Sequence, residues 1–291
     1  MKCENEITLH GKPGYPLGLR VPCGQCLACR IAKRREWSAR LQHELATHDD
    51  AVFVTLTYSD EYNDNSLHKR DLQLFFKRLR KALGDRRIRY FACGEYGDRT
   101  QRPHYHAIIF GLSLRDTDKQ LIMDAWHYAD WKVPAIRKES FGLAEPDSIR
   151  YVAQYIDKKY TGEKADVEYV KKNREPVFKI ASQGIGRNYI KDNFERLRTD
   201  KSFTLNGVKY SLPRYYLKKL ELDTEEVKEH ARITECERVE SIIGIADLTR
   251  DDVYMLLSTQ EILKLEQTIK QQNKQHNKNI KSKIELKQRK L

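Results

Sequence analysis

Two histidines one residue apart, His104 and His106, lie in the run Arg102-Pro103-His104-Tyr105-His106-Ala107-Ile108-Ile109-Phe110-Gly111, and no other stretch constrains the fold as much. Its apolar, β-branched end predicts a strand. A strand sends alternate side chains to one face, so both imidazoles stand side by side while Tyr105 points the other way. Neutral imidazole is a common ligand for divalent metals, and two on one strand make a preorganised half-site. Upstream, Tyr90-Phe91-Ala92-Cys93-Gly94-Glu95-Tyr96-Gly97 is a second strand-like run, followed by a polar turn through Asp98, Arg99, Thr100 and Gln101. Strands joined in this way form an antiparallel hairpin that can set Glu95 opposite the histidines, with Asp98 as the nearest substitute. Two imidazoles and a carboxylate leave coordination positions open, as catalysis requires.

The flanking patterns supply the rest of a fold. Val52–Tyr58, β-branched and aromatic, predicts a central strand. The spacing of Leu72, Phe75, Phe76, Leu79 and Leu83 predicts an amphipathic helix over 69–83 whose other face carries Lys69, Arg70, Lys77, Arg78, Arg80 and Lys81. That basic face reads either as a solvated surface or as a phosphate contact. Further helices are predicted over 27–47, 116–129 and 146–159, with a short strand over 133–136. In the first of them Ile31, Trp37, Leu41 and Leu45 face the core and the arginines face away. The order strand, helix, hairpin, helix, strand, helix implies an α+β fold, an antiparallel sheet with helices packed on one side. Residues 1–30 are rich in Gly and Pro and read as loop. After residue 160 a hairpin around Asn206-Gly207, a helical region from Asp223 and a Lys-, Gln- and Asn-rich tail beyond Asn273, unstructured when free, complete the reading. Three parts follow: a Cys-rich segment and helix over 1–48, a central domain over 49–215, and a helical extension with a basic tail over 216–291.

The 291 residues carry a net charge of +12, which favours a polyanionic partner, nucleic acid before an anionic membrane surface. Half of that excess lies beyond residue 259, where nine Lys or Arg face three acids; the tail is a candidate non-specific DNA tether. No apolar run approaches the length of a membrane span, and the expected location is the cytosol. There, cysteines point to metal ligation or burial rather than disulfides. Cys23, Cys26 and Cys29 at CxxCxxC spacing, with Cys3 or His10 as the fourth donor, are candidate ligands of a structural Zn²⁺. Cys93 and Cys236 read as buried small hydrophobes. No phosphate-cradling Gly-x-x-x-x-Gly-Lys-Ser/Thr occurs, so neither a nucleotide cofactor nor a helicase is predicted.

Tyr151-Val152-Ala153-Gln154-Tyr155-Ile156-Asp157-Lys158 adds a nucleophile. Helix positions four apart share a face, so Tyr151 and Tyr155 project to one place, with Lys158 three further on. A phenol of pKa near 10 needs a neighbouring cation to attack as phenolate. Metal and Lys158 would supply it. Thr55, Thr57 and Tyr58 belong to the sheet in the first instance and, with Arg102, are candidate DNA contacts in the second.

Phe53-Val-Thr-Leu-Thr-Tyr58, Arg102-Pro-His-Tyr-His-Ala107 and Tyr151-Val-Ala-Gln-Tyr-Ile-Asp-Lys158, in that order, resemble the three motifs of HUH rolling-circle replication initiators, in the two-tyrosine subgroup. Cys3 and Pro22-Cys-Gly-Gln-Cys-Leu-Ala-Cys-Arg30 are similar to the initiators of gokushovirus-type microviruses. The resemblance implies an HUH nuclease fold and a nickase and strand transferase acting on single-stranded viral DNA at an origin. It implies Mg²⁺ or Mn²⁺ on His104 and His106, with Glu95 as an acidic third ligand, and tyrosines that alternate as nucleophiles. Tyr155 and Lys158 match the family's Tyr-x-x-Lys spacing, whereas Tyr151 is followed by Gln154. The product is a 5′-phosphotyrosyl link and a 3′ hydroxyl for a host polymerase, with unwinding left to a host helicase in the bacterial cytoplasm. The alternative is a non-catalytic, zinc-containing single-stranded DNA-binding regulator whose histidines and tyrosines stack on bases.

Overall fold

The computed structural model describes residues 3–9, 19–155, 163–205, 207–222, 240–244 and 258–288. They fall into two compact units, Met1–Ala32 with Phe194–Leu291, and Lys33–Asn193.

In the first unit β1 (Ile7–Leu9) pairs antiparallel with β2 (Leu19–Val21). The expected loop over 1–30 therefore contains a small ribbon, too short to register among its glycines and prolines. The hairpin signalled by Asn206-Gly207 is present as strands Ser202–Leu205 and Val208–Ser211, with Gly207 at φ 74°, while Asn206 itself lies outside the described residues. Most of the helical region expected from Asp223 also lies outside them. The tail expected to be unstructured is instead helical, Thr259–Gln288. Leu265, Ile269, Asn273 and Asn277 are buried at a spacing of four, and Asn277 Nδ2 donates to Glu4 Oε1 at 3.0 Å. Two carboxamides thus extend an apolar stripe that hydropathy alone ends at Ile269.

The second unit is built on β3 (Ala51–Thr57), β4 (Arg89–Tyr96), β5 (Pro103–Phe110), β6 (Phe141–Leu143) and β7 (Phe178–Ala181). They form one antiparallel sheet in the order β6-β3-β5-β4-β7. Helices cover both faces rather than one. Val54, Leu56, Tyr105, Ala107 and Ile109 pack beneath α2 (Lys69–Leu83) and α3 (Asp116–Ala125). Phe91, Cys93, Ile108 and Phe110 pack beneath α1 (Leu27–Leu45) and α5 (Pro146–Gln154). The strands alternate two apolar faces, so the sheet lies inside a three-layer stack.

Helix α2 has the predicted bounds and buries the predicted five side chains, each worth about 1.5–3 kcal/mol. It stops at Gly84, whose φ of 59° favours glycine. The strand predicted over 133–136 is helix α4 (Pro134–Glu139), because Pro134 takes the first helical position, where its missing N–H costs nothing. β6 follows it. In α1 the expected outward arginine face is broken. Arg40 is buried and its Nε donates to the Ile185 carbonyl at 3.1 Å, while buried Glu44 accepts the Gly186 N–H at 2.6 Å and an N–H of Arg89. These bonds compensate the burial of charge.

Buried Asp118 fixes the start of α3 by accepting from Arg86 at 2.8 and 3.2 Å and from the Ser113 N–H at 2.8 Å. The Arg86 bonds hold its carboxyl down to about 2. A depressed carboxyl pKa stabilises the fold above the unfolded value and ceases to as pH falls through the folded one. Asp118→Asn is expected to cost about 1–2 kcal/mol at neutral pH, the low end because Arg86 is half exposed. In urea titrations that deficit should shrink as the pH drops from about 4 toward 2.

Candidate active site

Antiparallel pairing builds the site row by row. Thr57 lies opposite His104, which lies opposite Glu95. Thr55 lies opposite His106, which lies opposite Cys93. Period two puts all six on the face under α1 and α5. Gly94, between the two β4 positions, faces the other way, where an added Cβ would come within 3.0 Å of Leu67 and 3.1 Å of the Tyr105 ring. The absence of a side chain there lets Tyr105 pack under the strand that carries Glu95.

Glu95, His104 and His106 converge, with ligand atoms all within 4.8 Å of one another. His104 Nε2 is 2.8 Å and His106 Nε2 3.2 Å from the same atom, Glu95 Oε1. Their other nitrogens are also engaged. His104 Nδ1–H donates to the Arg102 carbonyl at 3.1 Å, and His106 Nδ1 is 3.1 Å from Thr55 Oγ1. A carbonyl only accepts, so the proton of neutral His104 sits on Nδ1 and the Nε2 lone pair faces a carboxylate. That arrangement is repulsive unless a positive charge lies between them: a second proton or a metal ion. The N,N,O donor set and the back-side hydrogen bonds fit a divalent cation. Burial opposes ionisation of Glu95, but the hydrogen bonds from His104 and His106 outweigh it and hold the carboxyl far below its usual range.

Helix α5 and its C-cap bring both phenols to this centre. Glu145 N–H donates to Ser148 Oγ at 2.7 Å at the start of α5, and Ile149 and Val152 pack on the sheet. The Tyr155 ring stacks on His106 at 5.2 Å and 14°. The Tyr151 ring stands edge-on to His106, also at 5.2 Å, and is 5.1 Å from Tyr155. Phe53 stacks on His106 at 5.5 Å. The phenols differ in environment: Tyr151 is 42% exposed and Tyr155 only 6%. Burial, then the Tyr151 hydrogen bond and the Glu95 charge, push the Tyr155 phenol above its usual range.

Lys158 lies outside the described residues. Tyr58, expected among the DNA contacts, is 3% exposed, and its hydroxyl meets Asp71 at 2.9 Å and Tyr105 at 2.8 Å, so it is a core residue. Arg102 Nη2 donates to the Tyr58 carbonyl and the Asp60 carboxylate, both at 2.7 Å. Thr57 is half-buried opposite His104. Thr55 holds His106, and Phe53 flanks the ring; neither role was read from the sequence. Pairing β3 against β5 so that Thr55 shares a row with His106 would have exposed both.

Cys3, Cys23, Cys26 and Cys29 form a second cluster, their sulfurs within 4.8 Å of one another. The Cys23 and Cys26 N–H groups donate to Cys3 Sγ and Cys23 Sγ, each at 3.3 Å. Backbone donation from Cys26 and Gln25 lowers the Cys23 thiol to about 7. Four sulfurs with amides pointing at two of them fit a tetrahedral thiolate metal site. Cys93 is buried, as expected, and Cys236 and His10 lie outside the described residues.

Comparison with known proteins meets the geometry at the same place. Residues 51–160, which span the paired strands and both phenols, match the family model for replication-associated protein ORF2. The chain is similar to replication-associated protein VP4 of Bdellovibrio phage phiMH2K, 32% identical over 219 residues, covering 67% of this chain and 65% of that protein. It is similar to replication-associated protein ORF4 of Chlamydia phage 1, 30% identical over 229 residues, 70% of this chain and 56% of that one. To replication-associated protein ORF2 of Spiroplasma virus 4 it is 31% identical over 232 residues, 73% of this chain and 71% of that one. The chain belongs to this family of replication-associated proteins. The matches cover just under two thirds of the phiMH2K protein and just over half of the Chlamydia phage protein. No solved structure matches the chain significantly. Among the described residues no helix is long and apolar enough to cross a membrane.

Proposed function

We propose that this protein initiates rolling-circle replication of a single-stranded phage genome as an HUH-type endonuclease and strand transferase, with the chemistry in residues 49–215. The observation that carries the reading is two phenols at one distance from His106, itself 3.2 Å from Glu95. Glu95, His104 and His106 would hold Mg²⁺ or Mn²⁺, which when bound supplies polarisation of a scissile phosphate and compensation of charge on its oxygens.

A tyrosine oxygen attacks phosphorus as its proton is lost to solvent. The bond from phosphorus to the 3′ oxygen breaks, that oxygen takes a proton, and the 5′ phosphate stays on the tyrosine. The ester linkage is conserved, so attack by a 3′ hydroxyl restores the DNA without a nucleotide cofactor. Tyr151, the exposed phenol, opens the cycle; Tyr155, stacked beneath it, takes the second transfer. Lys158 assists electrostatically, Thr57 and Arg102 border the DNA path, and a host helicase and polymerase in the bacterial cytoplasm extend the 3′ end.

The test is incubation with single-stranded viral origin DNA and Mn²⁺, followed by a denaturing gel. A protein-linked DNA band is the expected result. Free fragments would indicate water as the nucleophile, and intact DNA a binding protein without chemistry.

We further assign Zn²⁺ to Cys3, Cys23, Cys26 and Cys29. Elemental analysis should find about one zinc per chain, and Cys23→Ser should lose it and destabilise the N-terminal unit. A zinc-free, equally stable parent chain would remove the assignment.

A further inference from the structure

The row of side chains through His106 does not stop at Cys93. β7 continues it, because Cys93 lies opposite Lys179. Thr55, His106, Cys93 and Lys179 therefore form one line across four strands on the tyrosine face, and Lys179 is two strand spacings, about 10 Å, from His106. β7 is an edge strand, and Lys179 is half-buried on it.

The ammonium sits in an unusual place. Lys179 Nζ is 3.9 Å from the centre of the Trp37 indole, and the Arg40 guanidinium lies 4.3 Å from the same ring. Lys33, exposed one turn earlier on α1, adds a third cation. The carboxylate nearby, Glu36, is 4.0 Å from Arg40. Among the described residues no carboxylate is within ion-pair distance of Lys179. Burial, then Lys33 and Arg40, lower its ammonium to about 8. Three cations against one acid, gathered on an indole at the open edge of the reacting face, leave positive charge for an anion to meet.

We propose that Lys179 and Lys33 form a phosphate-binding subsite for single-stranded DNA, its backbone crossing the sheet along the Thr55–His106–Cys93–Lys179 row. The subsite rests on the single-strand cleavage reading above. Trp37 fixes the direction of the Lys179 stem, so the charge is held in place before DNA arrives. The ligand is any single strand: a point charge on a phosphate carries no base specificity.

The experiment is fluorescence anisotropy of a labelled oligothymidylate with the full chain in EDTA, over a series of KCl concentrations. Lys179→Met keeps an apolar stem on Trp37 and removes the charge. It should weaken binding severalfold and make the log–log salt dependence shallower by about 0.7 for the lost phosphate contact. Lys33→Met should act in the same direction, and Lys179→Arg should retain both affinity and slope. An unchanged slope in Lys179→Met overturns the subsite, as does a loss of affinity that Lys179→Arg shares. Failure of the cleavage reading is separate: no covalent band with Mn²⁺, yet a shifted salt slope, would leave the subsite standing. A parent chain that binds no oligothymidylate ends both.

Discussion

Changing Tyr151 and Tyr155 together to Phe is expected to abolish the protein-linked DNA band, with a loss of cleavage on the order of 10⁴-fold or more, while oligonucleotide affinity stays within severalfold. The rings remain, so the stacking on His106 and the packing of α5 survive, and the two hydroxyls are the main loss. The single variants divide the cycle. Tyr151→Phe should suppress the first cut, because the remaining phenol is buried and its ionisation is opposed by that burial and by the Glu95 charge. Tyr155→Phe should still cut once but fail to pass the strand on, so the covalent adduct accumulates. A full-strength adduct in the double variant would show that neither phenol is the nucleophile. An adduct formed normally by Tyr151→Phe and lost in Tyr155→Phe would reverse their order.

His106→Ala is expected to lower Mn²⁺-dependent cleavage by at least about 100-fold, since it removes a ligand and the surface on which Tyr155 stacks. Thr55→Val separates these effects. It preserves strand shape but deletes the 3.1 Å partner of His106 Nδ1, and a loss of about 10-fold in metal affinity is the expected outcome. Titration of Mn²⁺ by calorimetry checks both. Wild-type affinity in Thr55→Val would mean that the imidazole is held by Phe53 and Tyr155 alone, and wild-type cleavage in His106→Ala would place the metal elsewhere.

The parts legible in the sequence are those in which one periodicity serves one face. The five apolar residues of α2 repeat at helical spacing, and the alternation through His104 and His106 is strict. The Tyr151 and Tyr155 spacing of four survives folding because α5 runs straight to its C-cap. Elements escaped where side chains serve against type. Arg40 and Glu44 in α1 and Asn273 and Asn277 in the terminal helix are polar residues held inside by specific partners, which hydropathy counts as surface. β7 is four residues of intermediate exposure with a lysine in its middle, so neither alternation nor apolar content marks it. At 133–136 the β-branched residues argued for a strand, but Pro134 starts a helix and the strand moves to Phe141–Leu143. For the site, donor types and spacing were readable; the orienting role of Thr55 was not, because it depends on which residue of β5 it faces.

β5 is hydrogen-bonded on both sides along its length, to β3 and to β4, and this makes the centre sensitive to parity. Inserting or deleting a single residue between Pro103 and His106 would turn an imidazole toward Trp126 and Phe75, and no neighbouring strand could slide to compensate, being locked to others in turn. Descendants of this molecule can therefore drift widely in their loops and tails, but this hairpin can lengthen or shorten only by even steps.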